Sequence, residues 1–261
     1  MRRVISIGGT RHLWAAIAAV AVAFALGATV ASVLRDEAGG AQDALTVSEV
    51  YARNADGVVR IEVTPSPGAQ SVPAGPGRDV LEPLGSGFVY REDGLIVTNL
   101  HVVDDALAIH VRLPDGRVLP ATYVAGDPDT DIAVIDVDAP AGALRRLHLA
   151  DSSGVRVGDS VVAIGSPFGL QSTVTAGIVS AVERTFTSPG NSRLEGIQTD
   201  AAINHGSSGG PLLDMHGDVI GLVSQFLSSS GGSNGVGLAV PSSTVSRVVA
   251  GILAAAAEGS A

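Results

Sequence analysis

The chain has 261 residues, 26 acidic against 16 basic, a formal charge of −10 and no cysteine, and every basic residue is an arginine. Without cysteine there is no disulfide, thiol nucleophile, thiolate zinc site or cysteine-held iron–sulfur cluster; without lysine there is no Schiff base, P-loop lysine or serine–lysine dyad. A nucleophile here needs histidine or a carboxylate as its base, and the histidines stand at 12, 101, 110, 148, 205 and 216.

The charge is unevenly placed. Arg2, Arg3, Arg11 and Arg35 flank an apolar segment, whereas residues 36–261 carry 12 arginines against 26 acids, a formal −14. Such a domain repels nucleic acid and anionic lipid rather than seeking them. Residues 13–34 hold no charge, and at about 1.5 Å per residue they are long enough to cross a hydrocarbon core of roughly 30 Å. With the arginines before them, residues 1–12 read as a cytoplasmic basic terminus and 13–34 as a single-pass signal anchor, which puts the rest on the periplasmic or cell-surface side. The alternative is a cleaved signal peptide with small residues at Gly39-Gly40-Ala41, and secretion of the remainder.

Residues 35–48 read as a polar tether. A brief helix over 48–54 leads into an alternating strand over 58–63, and the proline- and glycine-rich stretch 64–83 reads as a loop. Strands follow at 87–90 and 95–98, joined by Asp93-Gly94, whose residue types suit the positive φ of a hairpin turn. Further strands are expected at 108–112, 118–124 and 132–137. A second set is expected at 161–164, 173–182, 196–199, 211–213, 219–224 and 237–240, before a closing helix over 241–257. The 33 glycines and 13 prolines and strands spaced by about 8–12 residues argue for antiparallel barrels or a sandwich. The expectation is an all-β domain over 49–257: barrel 1 over about 58–140, barrel 2 over about 156–240, and a hinge between them.

The strongest local signal is Gly206-Ser207-Ser208-Gly209-Gly210-Pro211. Glycines on both sides allow a sharp turn that exposes a serine hydroxyl and points backbone N–H groups into one concavity. That turn, Gly206, Ser207 and Ser208, is the candidate oxyanion hole, with donors at Gly206 and Ser208. A serine needs a base to take its proton, and the base needs a buried acceptor on its other nitrogen. Thr98-Asn99-Leu100-His101 places a histidine after a β-forming segment, and Asp129-Thr130-Asp131-Ile132 places a carboxylate at the start of an apolar strand. His101, Asp131 and Ser208 supply the three catalytic roles.

On these residues the sequence resembles the HtrA (Deg) branch of the trypsin-like serine proteases over roughly 45–255. The matching pieces include Gly85-Ser86-Gly87-Phe88, Thr98-Asn99-Leu100-His101-Val102, Asp129-Thr130-Asp131-Ile132-Ala133-Val134 and Gly165-Ser166-Pro167-Phe168-Gly169. Gln198-Thr199-Asp200-Ala201-Ala202-Ile203-Asn204, the glycine–serine turn and Gly235-Val236-Gly237-Leu238-Ala239-Val240-Pro241 complete the series in the family's order. The resemblance implies two perpendicular six-stranded barrels with the triad in the cleft between them. It also implies a serine endopeptidase of unfolded or exported proteins, and a homotrimer formed through the N-terminal segment. About 20 residues follow Val240, too few for the PDZ domain many members carry, so none is expected.

Two departures from the family stand beside the nucleophile: Ser207 where asparagine is usual and His205 where proline is common. Ser207 is expected to be tolerated because that position contributes mainly backbone; since it is not Asp, activation by a new N-terminus is not expected. His205 reads as a solvated loop residue, or else as lining the leaving-group side. By the family's pattern the base of the pocket for the residue before the scissile bond is Ala202, with Ile203, Ser224, Gln225 and Phe226 as walls. No acid sits there, so a small or medium apolar residue is expected; the alternative is a shifted loop that brings in Asp200. No cofactor and no metal are expected, and His216 beside Asp214 and Asp218 reads as a solvated hairpin. The competing functional reading is a polypeptide-binding or chaperone module with a resting or inactive site. A G-x-S-x-G nucleophile elbow is disfavoured, because only His216 follows the serine.

Overall fold

The computed structural model describes residues 44–66, 84–170, 172–188, 192–226 and 233–258. Among them no helix is long and apolar enough to cross a membrane, and the expected span at 13–34 lies outside them, as do residues 67–83 of the loop stretch. The first element is α1 (Val47–Asn54), capped by a reciprocal pair: the Thr46 hydroxyl accepts from the Glu49 N–H, and the Glu49 carboxylate accepts from the Thr46 N–H. This satisfies two of the donors that every helix start leaves open.

Among the described residues twelve strands then form two barrels. The first contains β1 (Val58–Pro65), β2 (Leu84–Val89), β3 (Leu95–Asn99), β4 (Ala106–Arg112), β5 (Val118–Asp127) and β6 (Ile132–Val137), with a single helical turn, α2 (Leu100–Val103), between β3 and β4. The second contains β7 (Ser160–Gly165), β8 (Thr173–Thr187), β9 (Arg193–Thr199), β10 (Pro211–Leu213), β11 (Val219–Phe226) and β12 (Gly237–Pro241). Both close antiparallel, the first in the order β1-β2-β3-β6-β5-β4 and the second as β7-β8-β9-β12-β11-β10. The same hand-over of strands is thus used twice, and closure leaves neither sheet a free edge.

Successive side chains in a strand point to opposite faces, and here both faces are buried. In β6, Ala133, Ile135 and Val137 fill the interior of the first barrel, while Ile132 and Val134 face outward into a second core. In β7, Val161 and Ala163 fill the second barrel, while Val162 and Ile164 face outward into that same shared core. This is why Ile132–Ile135 and Val161–Ile164 read as unbroken apolar runs. The shared core also takes Val50 of α1 and Val245, Val248 and Val249 of the closing helix α3 (Ser242–Glu258), so it fastens the barrels and both helices together. The Ser242 hydroxyl donates to the Ala150 carbonyl at 2.6 Å, tying the start of α3 to the segment that joins the barrels.

Candidate active site

The first barrel supplies an acid and a base from neighbouring turns. Asp131 sits in the left-handed region at φ 57, immediately before β6, in a turn held by Asp127, whose carboxylate accepts from the Asp129 N–H and the Thr130 hydroxyl, both at 2.9 Å. Asp and Asn tolerate this conformation better than most residues because their short polar side chains bond locally. The first N–H groups of a helix have no partner within the helix. Here Asp131 takes them: its carbonyl accepts from Leu100 N–H at 3.1 Å and its Oδ1 from His101 N–H at 3.0 Å. The Asn99 side-chain amide gives the Asp131 backbone carbonyl its second donor, at 2.9 Å. The four-residue α2 is therefore built on Asp131 and sets His101 beside it.

His101 Nδ1 lies 2.8 Å from Asp131 Oδ2 and 3.0 Å from Oδ1. A carboxylate only accepts, so Nδ1 carries the proton and Nε2 offers its lone pair. The Asp131 side chain is 3% exposed and that of His101 29%, so the acid is sealed while the base reaches solvent. The carboxylate has one more donor, the Ser224 hydroxyl, 3.1 Å from Oδ2. Ser224 stands in β11 where the ladder skips from Val223 paired with Ala239 to Gln225 paired with Leu238. It is the extra residue of a bulge, and bulges re-aim side chains in this way.

The second barrel supplies the serine. Ser208 lies in the turn between β9 and β10, and its hydroxyl donates to the Ser224 carbonyl at 2.9 Å; no hydrogen bond joins it to His101 among the described residues. Within the turn, Ser207 N–H donates to the Asn204 carbonyl at 2.9 Å and Gly210 N–H to the Ser207 carbonyl at 3.0 Å. Among the described residues the N–H groups of Gly206 and Ser208 make no hydrogen bond. Of the three expected oxyanion positions, Ser207 therefore has its N–H committed, and Gly206 and Ser208 have theirs uncommitted.

The expected pocket residues separate into different environments. Ala202 is exposed, and Ile203 is 1% exposed and packed in the core of the second barrel. A Cβ on Gly237 would lie 2.5 Å from Ile203 Cγ1, so only glycine lets β12 pass this side chain. Gln225 turns its amide to the Thr187 carbonyl at 2.7 Å, and Phe226 pairs with Gly237 at the end of β11. Ser224 links Ser208 and Asp131, through its carbonyl and its hydroxyl respectively. The Asp200 carboxylate accepts from Ile178 N–H at 2.7 Å and is occupied in strapping β8. At the far hairpin, Asp214 Oδ1 accepts from the N–H groups of His216 and Asp218, and Asp218 pairs with His148 Nδ1 at 3.1 Å.

A model of the trypsin-like peptidase domain matches residues 85–222. The chain is 48% identical over 174 residues to a protein of Brucella suis biovar 1 (strain 1330) named "Probable periplasmic serine endoprotease DegP-like", which covers 67% of this chain and 34% of that one. It is 52% identical over 158 residues to a protein of the same name from Halomonas elongata, covering 60% and 32%. The chain thus spans about a third of the length of these relatives. Among solved structures it superposes on the "HtrA-type protease AlgW with tripeptide" with a TM-score of 0.69 and 38% identity, over 79% of this chain and 63% of that one. The corresponding decapeptide complex gives 0.67 and 35% identity, over 80% and 68%. With twelve strands in two closed barrels and a family match over more than half its length, the chain belongs to the trypsin-like peptidase domain family.

Proposed function

We propose that the chain is a membrane-tethered serine endopeptidase of the HtrA type, with Ser208 as nucleophile, His101 as base and acid, and Asp131 as the orienting carboxylate. One observation supports this reading: His101 Nδ1 lies 2.8 Å from the buried Asp131 carboxylate, and Ser224 links that carboxylate to Ser208, donating its hydroxyl to Asp131 Oδ2 and accepting at its carbonyl from the Ser208 hydroxyl. Ser208 Oγ attacks the peptide carbonyl carbon while its proton passes to His101 Nε2. Asp131 keeps the other proton on Nδ1 and stabilises the imidazolium. The N–H groups of Gly206 and Ser208 hold the oxyanion. The Nε2 proton then goes to the leaving amine as the C–N bond breaks; water, giving its proton to His101 Nε2, adds to the acyl ester, and His101 returns that proton to Ser208 Oγ as the C–O bond breaks. Rotation of the Ser208 hydroxyl off the Ser224 carbonyl starts the cycle; catalytic hydrogen bonds often tighten only when substrate is bound.

The residue before the scissile bond is small or medium and apolar, since Ala202 and Ile203 bring no charge and Asp200 is engaged elsewhere. Substrates are unfolded or exported polypeptides. The relatives' names support an extracytoplasmic site; the anchor at residues 13–34 rests on their length, apolarity and flanking arginines, and the homotrimer through the N-terminal segment on the family resemblance. Deleting residues 1–34 should release the protein from the membrane fraction; retention there would refute the anchor.

Ser208→Ala should abolish casein cleavage without shifting the thermal midpoint, and wild-type digests should show cuts after Val, Ala or Leu. Retained cleavage would remove Ser208 from its role, and cuts after Arg would overturn the pocket. The resting contact from Ser208 to Ser224 favours a second reading, a polypeptide-binding module. Under it, wild type and Ser208→Ala would both hold casein in solution, and neither would cut it.

A further inference from the structure

The turn that bears Ser208 has a holder in the other barrel. Ser86, in β2, is 0% exposed. Its hydroxyl donates to the Gly206 carbonyl at 2.6 Å and accepts from Ser166 N–H at 2.9 Å, and its own N–H donates to the Ser208 carbonyl at 2.7 Å. Because Ser166 occupies a lone pair, the hydroxyl proton is directed at Gly206. The Thr98 hydroxyl fixes Ser86 in turn, donating to its carbonyl at 2.7 Å.

Glycine at 206, with φ 94, has the freedom to turn its peptide over. The peptide between Gly206 and Ser207 is pinned at both ends, its carbonyl by Ser86 and its N–H by Asn204. The carbonyls of Gly206, Ser207 and Ser208 are all taken by protein donors, two of them from Ser86, and this leaves the Gly206 and Ser208 N–H groups as the open polar face. We infer that Ser86 is a positioning residue that sets the oxyanion turn through its hydroxyl, and that it ties the serine of the second barrel in register with the His101–Asp131 pair of the first. This inference rests on the endopeptidase reading above.

The test is Ser86→Ala in the full chain, assayed with a peptide substrate carrying Val before the cut and with the matching peptidyl trifluoromethyl ketone, whose adduct carries an oxyanion. We expect kcat to fall about 10- to 100-fold, short of the 10²–10³ cost of deleting an oxyanion donor outright. KM should stay within about threefold, and the inhibition constant should rise in step with the fall in kcat, as for an interaction made only in the transition state. If Ser86→Ala does not fold, Ser86→Cys takes its place, keeping the shape with a weaker donor. An unchanged kcat and inhibition constant in the folded variant would overturn the inference while leaving the endopeptidase reading intact. A wild-type chain that does not cleave would overturn both.

Discussion

At the residue scale the site turns on Asp131, which does two jobs that call for different properties of one side chain. Its backbone needs a residue that tolerates φ 57, and its carboxylate needs to be buried and negative beside His101. Asp131→Asn keeps the first property and removes the second, because Asn adopts the left-handed region almost as readily. It should therefore fold like the wild type and lose about 10⁴-fold in kcat, the cost of presenting the wrong tautomer of the base. Peptide kinetics and a thermal melt on the same preparation check this; a kcat within tenfold of wild type would take Asp131 out of the mechanism. Asp131, His101 and Ser208 were legible in the sequence because each lies in a short local motif. Ser86 and Ser224 were not legible in these roles. Ser86 meets partners 80 and 120 positions away, and Ser224 reaches Asp131 only because a bulge turns it.

At the element scale, alternation marks strands such as β1 and apolar runs mark those buried on both faces, such as β6 and β7, and the reading lost strand ends where pairing departs from a regular ladder. The reading of β8 stops at residue 182, whereas the strand continues to Thr187 through register shifts and a left-handed Glu183. The helix α2 has no sequence signal because four residues cannot hold a helix by propensity; Asp131 holds it. On the outside of the first barrel Glu62 lies between Arg60 and Arg112, at 3.1 and 2.9 Å. The hydrogen bond from Arg112, and then the charge of Arg60, hold its carboxyl below the ordinary value of 4.5. A group whose pKa is lower in the folded state stabilises above its unfolded value and loses that contribution as pH falls through the folded one. The wild type should thus melt above Glu62→Gln at pH 7, with the gap closing as pH drops below 4.5. A gap that stays constant down to pH 2 would show that the ion pair adds nothing.

At the scale of the whole molecule the two barrels divide the chemistry. Under the proposed function the first holds the acid and base and the second the nucleophile and its N–H donors, while a shared core and the Ser86 hydrogen bond to Gly206 join the halves. Arginine asymmetry around residues 13–34 and the acidic remainder place this machinery outside the membrane under the proposal above. The absence of cysteine then leaves its stability to packing, which the closure of both sheets and the core between them supply. The central claim is that Ser208 becomes a nucleophile through His101. Labelling the full chain with a fluorophosphonate and locating the adduct by mass spectrometry tests it most directly, because the reagent forms a bond only to an activated serine. The account predicts one adduct, on Ser208, lost in Ser208→Ala and reduced by more than about 10³-fold in rate in His101→Ala. An adduct on another serine, or labelling of Ser208 that proceeds equally without His101, would contradict it.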